Sequence, residues 1–498
     1  MEYFNGSIFV AGVFAPLLVA CLLALGTRLW VPRFVKILGG LGFSVALFSA
    51  LYMAFIYGMG KTVSVPTLFF GVFTLNGVSL VMYLLAGIVG FCAYLWTLKS
   101  DIPNICTYMW LLLFMQGGLM GVFAADNILW MYAFHEFALI PTFIAITVWG
   151  GAKRKAVAME MAIYLTLGAL VALIGILMMA YSFNPVSGFG VFEFSLFNLQ
   201  QCYAANPPPL SWQSPIFGLL LVGLGALVSL FPLHSWAPKT YNEAPTPFSM
   251  LHAGVLKKFG LYFLIQVALP LVGQGAAYWT QIICVLALVN VIGIGLITMA
   301  QRDLKMMVSF SSVSHMGLCF LGIASLSILG VGGCVILMFG HGLSVAALFI
   351  CADIVNKRFG TLDMQSLGGA YKKMPIFAAF FGAAVFANIG LPGFANFWGE
   401  LSVFVSLWNV SATVCILAIS GIIISAIYGL RAFANVFFGP EADCVSKDAK
   451  DLSWGERLPL VILVAVLLIV GFAPNLLIKN VNETLGEIPV YNNLTIKK

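Results

Sequence analysis

Charge is what this sequence has least of. Only 8% of its 498 residues are Asp, Glu, Lys or Arg, against about 25% in a soluble domain, so a water-soluble globule is excluded. Recognisable cofactor motifs are missing as well. There is no GxGxxG after a strand, no P-loop, and no haem or zinc spacing. Ten cysteines are scattered singly without a CxxC, and they read as small apolar residues rather than disulfides or iron–sulfur ligands. No basic stretch precedes the first apolar run, so no cleaved signal peptide is expected. No electron carrier is expected in this chain. The net charge of +6 lies in loops, where it bears on orientation and not on nucleic acid.

What is present is apolar length. Hydrophobic residues make up 61% of the chain, and a helix needs about 20 of them in a row to cross the hydrocarbon. Fourteen runs qualify, at roughly 7–29, 34–58, 77–99, 105–125, 128–149, 157–182, 214–234, 247–271, 276–300, 306–326, 328–355, 375–407, 409–436 and 457–478. The expected fold is an all-α polytopic membrane protein with about 14 transmembrane helices. Its 50 glycines and 42 phenylalanines suit closely packed membrane helices.

The loops orient the chain. Connections of odd number hold 18 of the 24 Lys and Arg residues, among them Lys99, Lys153, Arg302 and Lys357. The even connections and the tails hold Lys61, Lys479, Lys497 and Lys498. The positive-inside rule then places both termini on the outer side. The segment 183–213 reads as an outside loop.

Two spans are interrupted. "LVSLFPLHSWAP" puts Pro232 and Pro238 at the end of span seven, and "FANIGLPGFANFWGE" puts Gly390, Pro392 and Gly393 inside a long apolar run. Proline removes a helix hydrogen bond and clashes with the preceding turn. Broken helices at membrane depth are tolerated only where they face protein or water. One break in each half points to inverted repeats, here spans 4–8 and 9–13. The expected organisation is 1–104 for helices one to three, 105–271 and 272–440 for the two five-helix repeats with discontinuous helices seven and twelve, and 441–498 for the last helix and tail.

Titratable groups lie inside these spans. Glu136 is in span five, Lys257 and Lys258 in span eight, His315 in span ten, His341 in span eleven, and Glu400 just after the break in span twelve; His234 sits by the span-seven break. A charge at the centre of a membrane helix costs about 2.5–3.5 kcal/mol on the lenient insertion scale, so such residues mark ion pathways and proton relays. Burial destabilises the charged form of each and a neighbouring opposite charge restores it. A lysine whose partner moves away is therefore a proton switch. The bland alternatives are an inert buried ion pair for Glu136, Lys258 and Glu400, and simple packing for His234 and His252. Glu160 is placed at the membrane interface.

The motifs "HEFALIPTFIAITVWGG", "FPLHSWAPKTYNEAPTPFSMLHAGVLKK", "DLKMMVSFSSVSHMG", "GHGLSVAALF" and "GLPGFANFWGE" resemble the antiporter-like subunits of respiratory complex I, which are similar to Mrp-type antiporter and membrane-bound hydrogenase subunits. A glutamate at position 400 is similar to the M type, since the L and N types usually carry lysine there. The resemblance implies a proton-translocating subunit of an NADH:quinone oxidoreductase in a bacterial inner membrane, beside L- and N-type neighbours. NADH, FMN, iron–sulfur clusters and quinone would then belong to partner subunits, with no cofactor or metal in this chain. An Mrp-type antiporter or a hydrogenase-linked subunit stays open. By the same resemblance, Glu136 matches the helix-five glutamate, Lys258 the central lysine, His315 and His341 the polar-axis histidines, and Glu400 the distal glutamate.

Two departures stand out. Where the family places a helix-seven lysine, this chain has Leu227, and "WAPKTY" puts Lys239 where the family has an acid, in an expected loop. Glu136 thus lacks its usual cation. Lys257, at a position that is usually apolar, is a candidate to supply it, with a protonated Glu136 or pairing to His234 as alternatives.

Overall fold

The structure is a computed structural model, and it describes residues 2–26, 30–60, 64–67, 70–182, 192–442, 444 and 450–488. Helices dominate. In order they are α1 Glu2–Leu25, α2 Pro32–Gly58, α3 Gly77–Thr97, α4 Ile105–Ala124, α5 Ile128–Trp149, α6 Arg154–Ser182, α7 Leu196–Ala205, α8 Leu210–Val228 and α9 Trp236–Glu243. Then follow α10 Thr246–Ala300, α11 Leu304–Ala324, α12 Ile328–Phe359, α13 Pro375–Ile389, α14 Ala395–Val410, α15 Ala412–Phe437, α16 Trp454–Phe472 and α17 Asn475–Gly486.

The apolar runs become helices, and short polar residues between them stop and start each one. Asn76 and Ser79 form a reciprocal cap at α3. Asn127 accepts from two backbone amides at α5, and Asp303 and Ser327 each accept from one at α11 and α12. These caps satisfy amides that have no partner inside the helix.

Twelve helices among the described residues are long and apolar enough to cross a membrane, against the fourteen runs of the sequence. The difference lies in two places. α10 runs for 55 residues, about 80 Å at 1.5 Å per residue and more than twice the hydrocarbon thickness. It departs from helical geometry at Val272. The other place is the run 375–407, which is two half-helices, α13 and α14, each too short to span alone.

Both interruptions close in the same way. α8 ends at Ser229 and α13 at Gly390, each in the left-handed conformation. Beyond them the amide of Leu230 donates to the Gly225 carbonyl, and that of Leu391 to Phe386. This is the six-to-one bond of a Schellman cap, and it satisfies helix ends at membrane depth.

Three local features differ from expectation. Residues 196–205 of the expected outside loop form α7, and residues 183–191 of that loop lie outside the described residues. Ser64–Thr67 and Gly71–Thr74 pair as an antiparallel hairpin, β1 and β2. Lys239 lies on α9 rather than in a loop, and its ammonium bonds Glu160 at 2.7 Å.

The core follows from which helices are covered. α12 is buried along its hydrophobic centre, whereas α1, α2, α6, α15 and α16 leave most of that length uncovered. α12 is therefore the axis of the bundle, and the others form its rim.

Candidate functional site

Close packing brings α10 against α12. A methyl group at Gly254 would lie 3.1 Å from the Gly342 carbonyl, and one at Gly342 would lie 2.7 Å from the Gly254 carbonyl. Small residues allow this backbone approach, and it delivers Lys258 to His341. The Lys258 ammonium donates to the Ala253 carbonyl at 2.5 Å and lies 2.9 Å from His341 Nδ1. Both residues are fully buried.

The line continues across the bundle. The His341 and His315 rings are 5.4 Å apart. His315 Nδ1 is 2.8 Å from the Ser311 carbonyl, and its Nε2 is 2.8 Å from the Asn388 carbonyl at the end of α13. Carbonyl oxygens only accept, so this ring donates to both only as an imidazolium, and on deprotonation it gives up one bond. Glu400 Oε1 sits 4.0 Å from His315 Nε2. The carboxylate packs against Gly390, where an added Cβ would collide with it and where φ is +81°. Glu400 therefore lies at the break, beside His315.

Lys257 and Lys258 diverge because consecutive helix residues point about 100° apart. Lys257 donates to the Ser312 carbonyl of α11 at 3.3 Å and lies over the Tyr241 ring at 5.5 Å. The ion pair with Glu136 is not formed: among the described residues no Lys257–carboxylate contact falls within 4.0 Å. The charge-bearing tip of Lys257 is directed to α9 and α11.

Glu136 instead meets its sequence neighbour. Its Oε1 is 3.3 Å from His135 Nδ1, and its side chain is 30% exposed on α5. His135 is buried and stacks on Phe259 with ring centroids 4.4 Å apart. Leu227 is buried at the helix-seven position. His234 stacks on Phe231 beside the first break and contacts no carboxylate within 4.0 Å among the described residues.

Residues not singled out from the sequence also build the site. Asn290 clamps the first break: its Oδ1 accepts from the Phe231 amide at 2.8 Å, and its Nδ2 donates to the Ser229 and Val313 carbonyls at 3.1 and 3.2 Å. The one asparagine inside span nine was the available signal. Three π-helical stretches interrupt α10, at His252–Leu256, Leu264–Ala268 and Val289–Ile294. Such widened turns recur at functional sites, and the first ends one residue before Lys257. They leave no mark in residue type.

Two cavities lined in part by polar side chains reach α10, one near its start and one along its first half. One of about 410 Å³ includes Asp101, Asn242, Glu243, Lys305 and Asp353 near its start. Another of about 410 Å³ includes Asp126, Tyr262 and Gln266. Burial pushes the Asp126 carboxyl, in the loop between α4 and α5, above its ordinary range.

A buried line of titratable side chains, running from α10 to the second broken helix of an apolar bundle, defines the class: a membrane translocator of protons or small cations. The chain belongs to the family described as NADH:quinone oxidoreductase/Mrp antiporter, TM, which matches residues 125–425. It is 35% identical over 377 residues to NAD(P)H-quinone oxidoreductase chain 4 2 of Synechococcus sp. (strain JA-3-3Ab), covering 74% of this chain and 68% of that one. It is 31% identical over 391 residues to NADH-quinone oxidoreductase subunit M of Rhodobacter capsulatus, covering 76% and 75%. Among solved structures, a chain of respiratory complex I from Thermus thermophilus superposes with a TM-score of 0.86 at 25% identity, covering 97% of this chain and 99% of that chain. A chain of the Mrp complex from Dietzia sp. DQ12-45-1b superposes with a TM-score of 0.83 at 16% identity, covering 99% and 98%, a likeness of fold alone.

Proposed function

We propose that this chain is the M-type proton-translocating subunit of the membrane arm of an NADH:quinone oxidoreductase. The observation that carries the reading is the buried string Lys258–His341–His315–Glu400, whose links of 2.9, 5.4 (between ring centroids) and 4.0 Å run from α10 to the second break. Each member can bind or release a proton, and each is desolvated, so a change in one neighbour's charge shifts the others.

The chain's own work is proton movement. A conformational or electrostatic change elsewhere in the complex alters the charge near Lys258. The ammonium passes its proton to His341 Nδ1, His341 releases one toward His315, and His315 exchanges with Glu400. The break at Gly390 holds the carboxylate where the helix is interrupted, which in this reading opens toward the outer side. Moving each proton outward costs about 2.3 kcal/mol per 100 mV, energy that the redox reaction in partner subunits supplies. NADH, FMN, iron–sulfur and quinone sites belong to those partners in this reading.

The finer placement rests on sequence. Both termini lie on the outer side of a bacterial plasma membrane, the chain crosses fourteen times, and residues 105–271 and 272–440 are the inverted repeats. The matched caps at Ser229 and Gly390 support the repeat. A sodium/proton antiporter subunit is the second reading, favoured by a family description that also spans Mrp antiporters; the identities above 30% to quinone oxidoreductase subunits weigh for the first.

Purification of the native complex tests the assignment: nucleotide- and flavin-binding partners are expected. Within that complex, Lys258→Met is expected to abolish this subunit's proton pumping while assembly is kept, since an apolar isostere removes a buried charge without leaving a partner charge behind. Full pumping by an assembled Lys258→Met complex would end the proposal.

A further inference from the structure

Two buried histidines remain outside the string just described, one beside Glu136 and one beside the lysine pair. His135 holds Glu136 through Nδ1 at 3.3 Å. Its ring stacks on Phe259, the residue after Lys258, at 4.4 Å. His252 opens the π-helical turn that precedes Lys257 and sits against Trp236 and Tyr241, at 5.5 and 5.3 Å between ring centroids. Tyr241 is also the ring beneath the Lys257 ammonium. α5 packs directly on that π turn. His252 and the Lys257 ammonium therefore meet on the same Tyr241 ring. His252 Nδ1 is buried with no hydrogen-bond partner among the described residues.

These side chains answer a structural question. The helix-seven position is the buried Leu227, which packs toward α6, and Lys257 turns to Ser312. Without another group, Glu136 would be cut off from the central lysines. We propose that His135 and His252 are the proton-carrying link between Glu136 and the Lys257–Lys258 pair, standing in for a helix-seven cation. The inference rests on the proton-translocation reading above.

The chemistry balances. A neutral imidazole accepts a proton at one nitrogen and releases one from the other, so the ring ends as it began, with its tautomer exchanged. The Glu136 carboxylic acid gives its proton to His135 Nδ1 and becomes a carboxylate. His135 releases the Nε2 proton toward His252. His252 releases one to an uncharged lysine amine, which becomes an ammonium. One O–H bond breaks, one N–H bond forms at lysine, and each ring returns to neutral.

The test is made in the intact complex reconstituted in proteoliposomes, with proton uptake and quinone reduction measured together. His135→Gln retains an N–H donor for Glu136, and His252→Gln is of similar volume; neither side chain titrates. A packing role survives these changes and a proton-carrying role does not. Each single variant is expected to lower the proton-to-electron ratio by this subunit's whole share, as Lys258→Met does, and the double variant is expected to lower it no further, because the groups act in series. Assembly and quinone reduction measured with uncoupler are expected to persist. If His135→Gln and His252→Gln pump at the wild-type ratio while Lys258→Met does not, the histidine link is overturned and the translocation reading stands. If Lys258→Met also pumps fully, both fall.

Discussion

Asn290→Ala tests whether a single amide holds the first broken helix in its working shape. The side chain is fully buried. Its Oδ1 accepts from the Phe231 amide, and its Nδ2 bridges the Ser229 and Val313 carbonyls. Val313 lies inside α11 and keeps its helical bond. The Phe231 amide and the Ser229 carbonyl belong to the break and lose the contacts described. A buried polar group left unpartnered costs about 1–3 kcal/mol, so two cost about 2–6 kcal/mol before relaxation. Since about 1.4 kcal/mol is a factor of ten in an equilibrium, the opening of residues 229–235 is expected to rise at least tenfold. Amide exchange followed by mass spectrometry in the detergent-solubilised complex reads this directly. The thermal midpoint of the subunit should fall as well, and the proton-to-electron ratio should drop because the break is next to His234 and Lys257's partner helix α9. Unchanged exchange across residues 229–235, together with an unchanged midpoint, would refute the clamp.

Further expectations concern the second break. Glu400→Gln removes the only carboxylate within 4.0 Å of His315 among the described residues and is expected to abolish pumping by this subunit, with Glu400→Asp retaining part of it; equal ratios for wild type and Glu400→Gln in proteoliposomes would exclude a proton-carrying role. Gly390→Ala combines a left-handed φ of +81° with a Cβ driven into the Glu400 carboxylate. The conformational part alone costs about 1–2 kcal/mol, so both the thermal midpoint and pumping should fall, and a variant matching wild type in both would show that the break does not pin Glu400.

Much of this protein was legible in its residues. Glu136, Lys258, His315, His341 and Glu400 stand out because an ionisable side chain in a long apolar run is costly and therefore conspicuous. The interruptions near Pro232 and Pro392 were legible for the same reason: few residues stop a helix, and proline and glycine are among them.

Other features depend on where side chains point, and only the tertiary structure decided them. The pattern of apolar residues cannot show where α10 bends, since Val272 is as apolar as its neighbours. The π turn at His252–Leu256 leaves no signature in composition, and just beyond it Lys258 meets His341 while Lys257 meets Ser312 rather than Glu136. His135 is adjacent to Glu136 in the chain, yet its place above Phe259 follows from how α5 crosses α10. The sequence by itself determined that charges must be hidden inside a helical membrane bundle, because lipid solvates no charge. Which charge meets which was left to helix packing, because a change of 100° about a helix axis alters every partner while leaving the sequence's apolar pattern untouched.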